Sequence, residues 1–191
     1  MKVSFLVSEL AKWDLLEGGG APEALILPFF SDERPLRGAA GLCDWRLCGR
    51  ISRMLLKKRV TGELGESVLY PPIVGGRLRL PFPRILLFGL GPGEGFDEAR
   101  ARDAGQRIHE MIARLHLPRY AIVPPGRSTG RLSARRALEI YLEGLGKEPK
   151  EAKEPTGDGN GAPMATNVAT SEVVVVESAA GQKEAADLTR R

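Results

Sequence analysis

Cysteine and histidine are scarce in this 191-residue chain, which contains two of each. Cys43 and Cys48 are five positions apart in a segment predicted to be helical, so they would lie about 7.5 Å apart along the axis and point apart. No disulfide is expected between them, and such usage is typical of a cytoplasmic protein. His109 and His116 are seven positions apart on another predicted helix, too far apart to share a metal ion. We expect two surface histidines, and neither a metal nor a cofactor.

Long hydrophobic runs and aromatic residues are also few. The first ten residues, MKVSFLVSEL, are too short an apolar run for a signal peptide, and no stretch could span a membrane. The net charge of +4 permits an acidic or nucleic-acid partner without requiring one. Because few aromatics interleave with the arginines, base stacking is not expected. Nucleic-acid binding, a weak alternative, would be nonspecific and salt-dependent.

Glycine, in contrast, is concentrated after a predicted buried strand, in RILLFGLGPGEGFD at Arg84–Asp97. Gly89, Gly91 and Gly93 expose backbone N–H groups just before a helix that Asp97 can cap, an arrangement that can hold a phosphate. The dinucleotide pattern is incomplete, because Glu94 occupies its third glycine position and no acid follows at the required distance. An anion-binding loop and a tight structural turn both remain open, and we favour the turn.

A second candidate ligand loop, GRSTG, follows a predicted strand at Tyr120–Val123. Arg127, Ser128 and Thr129 lie where α/β sheets place ligands. No His–Asp pair is positioned to activate Ser128 as a nucleophile. The loop is therefore interpreted as an anion-binding loop or an ordinary turn.

One long helix is predicted from Ala39 to Lys58, with a basic stripe on one face. The stripe is either a solvated face or a partner surface. We expect its four residues to be exposed, with Trp45 and Leu47 turned toward protein. The stripe consists of Arg46, Arg50, Arg53 and Lys57.

The remaining pattern alternates strands and helices, with irregular sequence from Glu9 to Gly20 and a hairpin predicted around Gly75-Gly76. We expect a mixed central sheet with helices on both faces. Residues 1–146 and 172–177 would form a single α/β domain. Residues 147–171, rich in charge, glycine and proline, are interpreted as a flexible linker. Residues 178–191 would be a polar tail containing a frayed helix.

Several segments together resemble the N-terminal domain of leucyl aminopeptidases, the cytosol aminopeptidase family. They are DERPLRGAAGLCDWRLCGRISRMLLKKR at Asp32–Arg59, TGELGE at Thr61–Glu66, and RILLFGLG at Arg84–Gly91 with the following FDEARARDAG. The resemblance implies a three-layer α/β/α sandwich related to macro domains. In that family the two metal ions and the catalytic groups lie on a separate C-terminal domain with an N-T-D-A-E-G-R signature. Nothing here matches that signature, so the resemblance assigns no catalytic residue.

Three functions follow from these patterns. The first is a non-catalytic, stand-alone relative of the aminopeptidase N-terminal domain, acting in assembly, regulation or partner binding, including self-association. The second is a macro-like module that binds ADP-ribose or a related nucleotide, which requires the glycine loop and the GRSTG loop to converge on one cleft. The third is nonspecific nucleic-acid binding.

Overall fold

The computed structural model describes residues 2–16, 21–70, 80–145 and 172–189. Within these ranges the strands are β1 (Lys2–Val7), β2 (Ala24–Phe29), β3 (Ser67–Tyr70), β4 (Arg84–Gly89), β5 (Arg119–Ile122) and β6 (Glu172–Glu177). They form a single sheet in the order β1-β6-β5-β2-β4-β3. All neighbouring strands are parallel except β3 and β4, which are antiparallel. The predicted mixed sheet is confirmed.

Helices cover both faces of this sheet. They are α1 (Leu10–Asp14), α2 (Gly38–Arg46), α3 (Arg50–Leu56), α4 (Glu98–Arg114), α5 (Ala134–Leu145) and α6 (Ala179–Ala185), followed by a 3₁₀ turn at Ala186–Thr189. One buried cluster contains residues of α1, α2 and α3, and the other contains residues of α4, α5 and α6. The three-layer α/β/α sandwich is therefore confirmed. None of the described helices is long and apolar enough to cross a lipid bilayer.

The central strand β2 fixes the position of the loops at one edge of the sheet. Leu25, Ile26 and Leu27 are completely inaccessible to solvent, and burial of each such side chain stabilises the fold by about 2 kcal/mol. The side chains alternate between the two core clusters, as the period of a strand requires. Because β2 is parallel to both β4 and β5, the carboxyl ends of all three strands meet at one edge.

The prediction of one long helix from Ala39 to Lys58 is wrong, because this segment forms two helices, α2 and α3. The Cys48 N–H donates to the Trp45 carbonyl and the Gly49 N–H donates to the Asp44 carbonyl, which is the Schellman pattern that ends a helix. Both Cys48 and Gly49 have positive φ. The Asp44 carboxylate accepts hydrogen bonds from the backbone N–H and the hydroxyl of Ser52. Asp44 of α2 therefore caps the first turn of α3.

This break divides the predicted basic stripe. Arg46, on α2, is half-buried and pairs with Asp14 of α1. The three other members, Arg50, Arg53 and Lys57, are exposed at α3 and its C-cap. Leu47 is buried as expected, but the expectation for Trp45 is wrong, since 72% of its surface is exposed. The two cysteines are free, as predicted, with Cys43 buried and Cys48 exposed.

Other departures from the sequence-based expectations have local causes. Trp13 is buried and its indole N–H donates to the Val7 carbonyl, which anchors helix α1 in the segment expected to be irregular. The segment predicted as a polar tail instead forms α6 and the 3₁₀ turn, because Ala185 and Leu188 join the core. The second strand of the expected hairpin, except Leu80, and the predicted linker lie outside the described residues.

Histidine 109 also differs from expectation. His116 is exposed, but both ring nitrogens of His109 are buried and form no hydrogen bond with the described residues. Its ring packs on Tyr141 of α5, with centroids 4.5 Å apart. Burial lowers the pKa of His109 to about 4, and the nearby Gly144 backbone offsets only part of this effect.

We predict that His109 makes the protein less stable in acid. In the unfolded chain its pKa is near 6.5, so the unfolded state binds a proton that the folded state excludes until the pH approaches 4. The free energy of unfolding should therefore fall as pH decreases through this window, by up to about 3 kcal/mol from this residue. Urea denaturation over a pH series measures the slope. His109→Leu should flatten it and the exposed control His116→Gln should not, while equal slopes in all three proteins would contradict the assignment.

Candidate functional site

Three loops meet at the carboxyl ends of β2, β4 and β5, where open α/β sheets bind ligands. The loop after β2 covers residues 30–37, the loop after β4 covers residues 90–97, and the loop after β5 covers residues 123–133. They line an open cleft of about 320 Å³ that we call the crevice. Its lining residues are Phe30, Asp32, Glu33, Arg34, Arg37, Gly93, Thr129 and Arg131.

The glycine loop contributes to the crevice through Gly93. The Gly89 N–H donates to the Glu66 carbonyl at 2.8 Å and the Gly91 N–H donates to the Gly62 carbonyl at 2.9 Å. The Gly93 N–H instead donates to the Asp32 carboxylate at 2.9 Å. All three donors are thus already bonded within the protein, which favours the structural turn, and a ligand role for these glycines stays a prediction.

The bonds of Gly89 and Gly91 hold them against the turn at Thr61–Glu66. Within this turn the Glu66 carboxylate accepts hydrogen bonds from the N–H and hydroxyl of Thr61 and from the Gly62 N–H. Burial raises the pKa of Glu66, but these donors outweigh it and hold the pKa below its ordinary value. The turn crosses the end of β4 so closely that a Cβ at Gly89 would lie 2.0 Å from the Glu63 carbonyl oxygen. Only glycine therefore permits this crossing of the turn over the strand. We call this crossing the glycine clasp.

The GRSTG loop lies beside the glycine loop, so the two predicted ligand loops do converge. Thr129 lines the crevice together with Gly93. The hydroxyl oxygens of Ser128 and Thr129 are buried without a hydrogen-bond partner in the described structure. Arg127 points elsewhere, since its guanidinium holds the buried Glu177 carboxylate through bonds of 2.6 and 3.1 Å. Arg127 therefore anchors the loop to β6, and any ligand role for it stays a prediction.

The loop after β2 supplies the charged residues that the sequence analysis missed. Glu33 is buried, and its carboxylate accepts hydrogen bonds from the N–H groups of Phe30 and Arg37. Burial raises the pKa of Glu33, and the two N–H donors offset part of that rise. Arg34 donates to the Glu33 carbonyl at 2.7 Å. The sequence feature that could have indicated these residues is the position of this polar loop directly after the central apolar strand.

The three guanidinium groups that line the crevice, Arg34, Arg37 and Arg131, form no direct ion pair among the described residues, although the charges of Arg34 and Arg37 act on the buried Glu33 carboxylate. No carboxylate of the described chain lies within ion-pair distance of Arg37 or Arg131. Asp32 is likewise free of any cation at that distance. The crevice therefore combines three arginines, of which Arg131 has no acid acting on it in the described structure, with an accessible carboxylate at Asp32, and this charge pattern suits a small charged molecule.

A second candidate site lies on the helical layer of α2 and α3, and we call it the α2–α3 surface. A shallow groove of about 650 Å³ runs beside Trp45 and is lined by Pro35, Leu36, Cys48 and Gly49 among others. The adjoining sequence from 45 to 60 contains six basic residues and no acid. The basic residues are Arg46, Arg50, Arg53, Lys57, Lys58 and Arg59.

No cluster resembling a metal centre occurs in the described ranges. Within them, no three His, Cys, Asp or Glu side chains are grouped closely enough to hold a metal ion.

The layers and loops define the macrodomain class of fold. A macrodomain of Oceanobacillus iheyensis solved with ADP has a TM-score of 0.54 at 13% identity, covering 87% of this chain and 84% of that one. A mutant of tomato leucine aminopeptidase has a TM-score of 0.53 at 16% identity, covering 93% of this chain and 32% of that one. At these identities the likeness shows the fold alone.

The sequence identifies the family within this class. The model of the cytosol aminopeptidase family, N-terminal domain, matches residues 26–148. A probable cytosol aminopeptidase of Alkaliphilus metalliredigens is 25% identical over 122 residues, which are 64% of this chain and 23% of the relative. The chain belongs to the cytosol aminopeptidase family through this N-terminal domain, as the resemblance indicated. It spans about a quarter to a third of the length of these aminopeptidases.

We predict that the glycine clasp tolerates no side chain at Gly89. Gly89→Ala should lower the free energy of unfolding by about 3 kcal/mol, because its Cβ would overlap the Glu63 carbonyl. The matched control is Gly93→Ala, whose Cβ would meet nothing closer than the Asp32 carboxylate at 3.3 Å. It should change stability by less than about 1 kcal/mol. Urea denaturation measures both, and equal effects would show that the clasp is not a steric constraint.

Proposed function

We propose that this domain is a non-catalytic, partner-binding relative of the aminopeptidase N-terminal domain, and that it docks an acidic protein surface on its α2–α3 surface. The observation that carries the proposal is the 72% exposure of Trp45 beside a groove and a cationic segment. Tryptophan is prominent among the residues that dominate interface energies, because it offers a large apolar surface together with a polar N–H group.

Charge selects the partner in this proposal. Arg50, Lys57 and their basic neighbours lie exposed, and the segment from 49 to 60 contains no acid. Arg46 is set apart from them, because it is half-buried and pairs with Asp14. Uncompensated cations attract an acidic surface and speed its association, while the apolar contact at Trp45 slows its dissociation. Nucleic acid would also be attracted by the charge. Trp45 is a single aromatic in this segment, however, and base binding along a strand uses several.

The first expected outcome concerns catalysis. The family match covers the N-terminal domain, while the resemblance places the metal ions and catalytic groups on another domain. We predict that the purified 191-residue protein, supplied with Mn²⁺ or Zn²⁺, does not hydrolyse leucine p-nitroanilide above background. The full-length Alkaliphilus relative serves as the positive control. Metal-dependent turnover that co-purifies with this protein through successive columns would contradict the proposal.

The second expected outcome concerns docking. The partner probe is the purified catalytic domain of the Alkaliphilus relative, titrated by isothermal calorimetry at low and high salt. We predict saturable binding that weakens with salt, and that Trp45→Ala or the double change Arg50→Glu, Lys57→Glu weakens it by about tenfold or more. Arg114→Glu, an exposed arginine of α4, is the matched control and should bind normally.

Three results would overturn this docking proposal. One is the absence of binding to the catalytic domain, and another is binding that these substitutions leave unchanged. The third is that the protein binds a random double-stranded DNA and that the same substitutions weaken this binding equally. That result would support nucleic-acid binding instead.

The second candidate function is small-ligand binding in the crevice. It is favoured by the convergence of the glycine and GRSTG loops and by the unpaired Arg37 and Arg131. A macrodomain of the same fold has been solved with ADP, which makes a phosphate-bearing nucleotide such as ADP-ribose the first ligand to test. Calorimetry with ADP-ribose and with inorganic phosphate tests it. This function and protein docking use different surfaces, so each can be lost without the other.

A further inference from the structure

We propose that the crevice binds a small zwitterion of the class of α-amino acids and short peptides, with its ammonium group at Asp32 and its carboxylate at Arg37 and Arg131. The proposal rests on the second candidate function, small-ligand binding in the crevice, and names the ligand class.

Two charges of opposite sign lie close to the point that a side chain of residue 93 would occupy. A Cβ built at Gly93 would lie 3.3 Å from the Asp32 Oδ1 atom and 3.6 Å from the Arg131 Nη2 atom. No ion pair joins these two side chains, although both lie near the same point. Because Gly93 has no side chain, a ligand that carries both charges can enter between them and pair with each.

Asp32 is the carboxylate that remains available to a ligand. Both oxygens of Glu33 accept backbone N–H groups, and Glu33 is buried. Asp32 is exposed, and one of its oxygens accepts the Gly93 N–H. Its other oxygen forms no hydrogen bond within the described ranges, so it can accept from an ammonium group. A purely anionic ligand would meet this carboxylate as a repulsive neighbour.

The hydroxyl of Thr129 supplies a further contact. It is buried, lines the crevice and has no hydrogen-bond partner among the described residues. Buried polar groups are normally bonded, and a threonine hydroxyl can donate to a carboxylate oxygen. Because Thr129 lines the same crevice as Arg37 and Arg131, the proposal assigns its hydroxyl to the carboxylate end of the ligand.

The size of the crevice separates this ligand class from a nucleotide. Its volume of about 320 Å³ is at the lower end of the roughly 300–1,000 Å³ found for small-molecule sites. A single amino acid or a dipeptide would fit within such a volume. A dinucleotide-like ligand such as ADP-ribose would extend out of it.

Calorimetry with the full 191-residue chain tests the proposal. The probes are L-leucine and glycyl-L-leucine, with N-acetyl-leucine lacking the ammonium group and leucinamide lacking the carboxylate. We expect saturable binding of a free zwitterion and a loss of about tenfold or more on capping either end. Inorganic phosphate and ADP-ribose are titrated in parallel. We expect both to bind more weakly than the zwitterion.

Variants locate the two ends of the ligand. Asp32→Asn and Arg131→Gln should each weaken zwitterion binding by about tenfold or more, and Gly93→Ala should weaken it by filling the space between them. In Asp32→Asn, the loss of affinity caused by acetylating the ammonium group of leucine should also be smaller than in the unchanged protein. A general loss of structure would not produce this effect. Arg114→Gln is the control outside the crevice and should bind normally. Melting temperatures confirm that the variants are folded.

The outcomes are distinguishable. If ADP-ribose or phosphate binds and the zwitterions do not, this inference is overturned while the second candidate function stands. If none of the probes binds, both are overturned. If the zwitterions bind but Asp32→Asn and Arg131→Gln change nothing, the crevice is not their site and the inference is overturned.

Discussion

The glycine clasp is the constraint on which the rest of this architecture depends. The turn at Thr61–Glu66 crosses the end of β4 so closely that Gly89 cannot carry a side chain. The Glu66 carbonyl and the Gly65 N–H both bond to Gly89, which starts β3 antiparallel to β4. The bond from Gly91 to Gly62 then directs the following residues toward Asp32. The only antiparallel pair in the described sheet and the position of Gly93 in the crevice both follow from this crossing.

The loop after β2 connects the two candidate sites. Asp32, Arg34 and Arg37 line the crevice, while Pro35 and Leu36 line the groove beside Trp45. Charged side chains of one short loop therefore face the candidate small-ligand site, and its apolar residues face the candidate docking surface. The family match covers the N-terminal domain of the family and assigns no function to either place.

Several elements could be predicted because their signals are local. The apolar run before the glycine loop identified β4, and Asp97 caps α4 as predicted. The break between α2 and α3 was missed because Cys48, a residue that rarely adopts positive φ, ends the helix while the apolar period continues. The roles of Arg127 and Asp32 depend on Glu177 and Gly93, which are 50 and 61 residues away. Sequence periodicity carries no information about such tertiary pairs.

Amide hydrogen exchange at Gly89 and Gly91, resolved by NMR in the full chain, tests the glycine clasp most directly. Since both N–H groups bond to carbonyls of the crossing turn, they should exchange only with global unfolding, at the slow rate of the central strands. Saturating phosphate should not change their exchange rates beyond any gain in global stability, because these donors are not available to a ligand. Rapid exchange that slows selectively when phosphate is added would show that the loop is an anion-binding loop and would contradict the account.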